Sequence, residues 1–134
     1  MLRTLLVAGL CVASLPALAQ KYDAQMSAAQ EVPSKQSAGT GAATATLDGD
    51  KLTYEITYKG LSGPATAAHI HGPAEPGANA GVLVPFSNPA SPIKGTVTLT
   101  PQQVTDLKGG KEYVNVHTQQ NPGGEIRGQL KPAS

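Results

Sequence analysis

The chain has 134 residues, of which 40% are hydrophobic and 14% charged, with a formal net charge of +1. A chain of this size builds one core, so enzymes that need a cofactor domain beside a substrate domain are excluded. No run of like charges exceeds two residues, and electrostatic capture of nucleic acid or of an anionic membrane has nothing to act through.

Residues 1–19 carry Arg3, an apolar run from Leu5 to Leu15, and then Pro16-Ala17-Leu18-Ala19, with small residues at the −3 and −1 positions of a cleavage site. That pattern predicts a signal peptide over 1–19 and a single exported domain over 20–134, periplasmic or secreted. The apolar run is too short for a bilayer core of roughly 20 residues, so no membrane insertion is expected after cleavage. Cys11 is the only cysteine; it lies inside the apolar run behind Leu10, where a lipoprotein would carry a small residue. The domain that remains has no thiol. With Arg3 removed, the ten basic residues fall to nine and balance the nine acidic ones. Stability must then come from burial, hydrogen bonding or a bound metal.

Along this domain the hydrophobic pattern has period two. Tyr22 to Gln25 reads as a weak first strand. Gly41 to Leu47 alternates small residues with Thr, and Asp48-Gly49-Asp50 separates it from Lys51 to Tyr58, where Leu52, Tyr54, Ile56 and Tyr58 share one face. The pair predicts a hairpin. Ala67 to His71, Gly81 to Pro85, Gly95 to Thr100, Tyr113 to His117 and Glu125 to Leu130 are strand-like and bounded by Gly, Pro or Asn. Thr100-Pro101-Gln102-Gln103 supplies a cap, a first-turn proline and a capping-box glutamine, so one short helix is expected near 101–108, stopped by Gly109-Gly110. The expected fold is all-β, a Greek-key-like antiparallel sandwich or flattened barrel of about eight strands.

The three histidines, His69, His71 and His117, all fall in predicted strands. In Ala68-His69-Ile70-His71 the alternation sends both imidazoles to the face opposite Ala68 and Ile70. Their Cα atoms are then about 7 Å apart, close enough for two rings to converge on one ion. In Tyr113-Val114-Asn115-Val116-His117 the two valines claim the core and turn His117 outward with Asn115. If the two strands are neighbours, the imidazoles meet as a ligand set suited to copper or zinc and poorly matched to calcium or magnesium. Copper is favoured over zinc by the Irving–Williams order at nitrogen donors.

Loops leave both strands beside these residues, Gly72-Pro73-Ala74-Glu75-Pro76-Gly77 after His71 and Asn121-Pro122-Gly123-Gly124 after His117, and are placed to form a rim. Glu75, Glu125 or water are candidates for a fourth ligand, with solvated carboxylates as the plainer use of both acids. Arg127 is outward by parity with Glu125 and Gln129; it suits an anion drawn toward a metal or, more simply, a cross-strand ion pair with Glu125 or another acid. With no thiol there is neither a cysteine nucleophile nor a blue-copper centre. No Gly-x-Ser-x-Gly elbow or phosphate-binding glycine loop is present, and nothing brings a Ser-His-Asp set together.

The segments Ala67-Ala68-His69-Ile70-His71-Gly72-Pro73-Ala74, Gly95 to Thr100, and Tyr113 to Thr118 running into Asn121 to Leu130 resemble the CHRD domain, named after chordin. The likeness extends from Tyr22 to Leu130 and implies an exported β-rich domain, found alone in bacteria and repeated in chordin. A weaker resemblance is to the copper site of copper–zinc superoxide dismutase, in which His69 and His71 would match a His-x-His pair and His117 a later ligand. The chain departs from that family in having no fourth, bridging histidine, no zinc loop and no disulfide, so the likeness implies a copper-only site. The leading expectation is an exported copper-binding protein acting in sequestration, delivery or tolerance, without turnover and with no protein partner identifiable. The alternatives are a copper-only enzyme of superoxide dismutase type and a metal-free extracellular interaction module.

Overall fold

The computed structural model describes residue 9 and residues 18–133. The signal peptide expected over 1–19, with Cys11, lies almost wholly outside the described residues.

Nine strands form one antiparallel sheet among the described residues: β1 (Gln20–Ser27), β2 (Thr40–Asp48), β3 (Lys51–Lys59), β4 (Ala65–His71), β5 (Val82–Pro85), β6 (Ile93–Thr98), β7 (Tyr113–Thr118), β8 (Ile126–Gln129) and β9 (Lys131–Pro132). Eight of them run in the order β5-β4-β7-β8-β1-β2-β3-β6, and β9 pairs with β1. Hairpins join β1 to β2, β2 to β3, β4 to β5 and β7 to β8, whereas β3 to β4, β5 to β6 and β6 to β7 cross between distant parts of the sheet. The sheet curls until Phe86, just after β5, meets Tyr54 of β3 with ring centroids 4.7 Å apart. Of the two expected forms, the flattened barrel is the one adopted.

The alternation of the sequence sets the inward face. Tyr22, Ala24 and Met26 of β1, Ala43, Ala45 and Leu47 of β2, Leu52 and Ile56 of β3, Ala68 and Ile70 of β4, Val114 and Val116 of β7, and Ile126 of β8 belong to one continuous core. Between β2 and β3 the Asp48 to Lys51 pair closes a two-residue turn, and Gly49 supplies the positive φ of 63° that this turn requires. The helix α1 (Pro101–Lys108) forms where its signals lie. Thr100 accepts from the Gln103 amide while the Gln103 side chain accepts from the Thr100 amide, and Leu107 fills the barrel end.

Most strand ends shift by one or two residues from the sequence reading, and three differences have a plain cause. β1 extends over eight residues because it pairs with β2 along its full length, Gln20 opposite Leu47 through Ser27 opposite Thr40. β6 begins at Ile93 and stops at Thr98, since Thr100 must leave extended pairing to cap α1. The short β9 has too few residues to show a period of its own.

Candidate metal centre

β4 and β7 are antiparallel neighbours, with Ala67 opposite His117, His69 opposite Asn115 and His71 opposite Tyr113. This register puts the three imidazoles on one side of the sheet. One ligand nitrogen from each of His69, His71 and His117 lies within 4.8 Å of the others. His69 Nδ1 and His117 Nε2 are already 3.1 Å apart. Two opposed bonds of about 2 Å span about 4 Å, so the remaining adjustment is under about 1 Å.

The parity argument holds, but the outer face is not solvated. All six residues of β7 are buried, including Tyr113, Asn115 and His117. The loop of residues 72–81 and the segment after β1 fold over this face. Ala74 donates to Lys111 O, Gln129 donates to Ala74 O, and Asn79 donates to Val32 O, which ties the two covers together. His71 and His117 are each only 9% exposed.

The covers also fix the rings. His71 Nδ1 donates to the Ala80 carbonyl at 2.9 Å, and His117 Nδ1 donates to the Pro122 carbonyl at 2.7 Å. A carbonyl accepts only, so in the neutral rings both Nε2 atoms present lone pairs. His71 Nε2 is buried and has no partner of any kind. Burial, followed by the neighbouring imidazoles at His69, holds the pKa values of His69 and His71 below the ordinary histidine value. The expected rim segment 121–124 thus supplies the Pro122 carbonyl, whereas the Ala80 carbonyl lies three residues beyond the expected segment 72–77.

Tyr113, on the strand between His71 and Arg127, stacks parallel to the His71 ring at 4.9 Å and carries the Arg127 guanidinium 3.5 Å from its ring centre. Its hydroxyl accepts from the Ala80 amide. Arg127 is 2% exposed and donates to Asn79 Oδ1 and Ala78 O. Of the acids open to an ion pair with Arg127, Glu125 is not its partner, and the guanidinium contacts are Asn79, Ala78 and Tyr113. Glu125 is fully buried elsewhere, accepting from Ser37 Oγ, the Ser62 amide and hydroxyl, Thr118 Oγ1 and Asn121 Nδ2. Those bonds occupy its carboxylate, and Glu75 is exposed on the covering loop, so neither acid joins the cluster. Two residues the sequence reading left without a role, Glu31 and Asn115, stand beside it instead. Asn115 shared the outward parity of His117 and so was legible; Glu31 arrives from a turn that no periodicity places.

The family model described as the CHRD domain matches residues 22–130. The chain belongs to the CHRD family. CHRD domains occur in extracellular proteins, and among the described residues no helix is long and apolar enough to cross a membrane. No curated protein and no solved structure matches the chain.

Proposed function

We propose that this CHRD domain is an exported, periplasmic copper-binding protein that holds one copper ion on His69, His71 and His117 and serves in copper sequestration, delivery or tolerance. The single observation that carries the reading is the buried, unpartnered Nε2 of His71, facing two further imidazoles while its own Nδ1 is tied to a carbonyl. A buried nitrogen lone pair without a partner is costly, and a metal ion is a partner that His71 shares with the two neighbouring imidazoles. Imidazole donors without thiolate suit copper first and zinc second. Binding is preferred to catalysis because Arg127, the one residue that could guide an anion, has its guanidinium committed to Asn79, Ala78 and Tyr113.

Titration of the purified chain with Cu(II), with metal content measured after desalting, is expected to give one ion per chain. Replacement of His69, His71 and His117 together by alanine should abolish it. Copper at a hundredfold excess over its dissociation constant should stabilise the wild type by about 2.7 kcal/mol and leave the triple variant unmoved. Stoichiometric binding that survives in the triple variant would overturn the proposal.

A further inference from the structure

Asn115 is 3% exposed and lies opposite His69 in the strand register. Its Oδ1 is 2.9 Å from His117 Nε2. His117 has its Nδ1 proton engaged with Pro122 O, so in the neutral ring a lone pair on Nε2 faces a lone pair on Oδ1. Two acceptors at hydrogen-bond distance are held there by a positive species between them, a ring proton or a metal ion. Amide orientation decides whether this confrontation is real, and Glu31 fixes it. Glu31 Oε2 and Asn115 Nδ2 lie together against Gly124, so the amide side of Asn115 faces the carboxyl and Oδ1 is left for His117. Only glycine fits there, since Gly124 has φ 124° and a Cβ would meet both groups at under 3 Å.

The spacing also has the dimension of a coordination edge. Two bonds of about 2.05 Å at a right angle separate their donor atoms by about 2.9 Å. The Oδ1 to Nε2 distance and the 3.1 Å between His69 Nδ1 and His117 Nε2 are both of that size.

We infer that the Asn115 carboxamide oxygen is the fourth donor of the metal centre, making a set of three nitrogens and one oxygen, and that Glu31 is a positioning residue that holds this oxygen toward the ion. The inference rests on the metal-binding reading above and adds the ligand that the sequence left open among Glu75, Glu125 and water. An oxygen donor is harder than imidazole, so the centre favours Cu(II) over Cu(I).

Electron paramagnetic resonance of the Cu(II)-loaded chain in water enriched in oxygen-17 tests it, because a coordinated water broadens the copper lines. The wild type is expected to show little broadening. Asn115→Ala should open the position to water, broaden the lines and lower Cu(II) affinity at least tenfold. Asn115→Asp keeps an oxygen at the same place and should retain the narrow lines, and Glu31→Gln should fall between. Melting curves of the metal-free variants check folding; if the alanine variant does not fold, the wild-type and Asn115→Asp spectra decide. Wild-type lines as broad as those of Asn115→Ala, at equal affinity, would overturn this inference and leave three-histidine binding intact. A wild type that takes up no copper would remove both.

Discussion

Replacing Glu125 with alanine should cost on the order of 3 kcal/mol of stability and lower the thermal midpoint by on the order of 10 °C, measurable by calorimetry of wild type and variant. Glu125 is fully buried and accepts five hydrogen bonds from Ser37, Ser62, Thr118 and Asn121. Removing it strands those donors where water cannot reach them. Burial alone would raise the carboxyl pKa, but the bonds from Ser62, Thr118 and Ser37 outweigh it and hold it at about 2, against an ordinary 4.5. The folded state thus binds its proton less readily than the unfolded one. The contribution is complete above the unfolded value and disappears as pH falls from about 4.5 through about 2. Wild type should lose stability steeply over that range, and the alanine variant should lose correspondingly less. Equal acid sensitivity in the two proteins would contradict the assignment.

Glu112 should behave in the opposite sense. It is also fully buried, yet neither of its carboxyl oxygens has a partner. Burial first, and then the nearby Asp106, raise its pKa to about 8. Between about 4.5 and about 8 the folded chain keeps a proton that the unfolded chain has released, so stability declines as pH rises across that interval. The decline amounts to about 3 to 5 kcal/mol by linkage. Glu112→Gln imitates the protonated form. It is expected to match wild type near pH 4.5, exceed it in stability by several kcal/mol at pH 9, and show a flatter profile between. Chemical denaturation of both proteins at a series of pH values checks this, and a wild-type curve that rises toward pH 9 would refute it. Tyr22, itself raised by burial and by the Glu112 charge, would titrate lower in the variant.

The barrel was legible because its strands are half-buried in the simple sense: Leu52 to Tyr58 and Ala68 to Ile70 alternate, and the alternation survives in the fold. Parity also placed the three imidazoles together, since a strand side is fixed by counting once the core residues are chosen. Period two cannot report whether the opposite side is wet. Tyr113, Asn115, His117, Arg127 and Gln129 all face away from the core and are nevertheless buried. Their cover consists of loops whose path depends on individual bonds, Asn79 to Val32 and Gln129 to Ala74 among them. That is why Arg127 read as a solvent-side guide or ion-pair partner but is enclosed over Tyr113, and why Glu125 read as a rim acid but anchors a separate network. Acid residues in glycine-rich loops carry no signature of burial until the loops are closed.

The Glu125 network joins residues separated by as many as 88 positions in the chain, Ser37 being bonded to Glu125 itself. Closing contacts of such separation costs loop entropy that the assembled sheet has already met, so they are expected to form late in folding. Weakening them is expected to leave the refolding rate almost unchanged and to shorten the lifetime of the native state. Where cleavage outpaces reclosing, that lifetime decides how long the domain resists proteases.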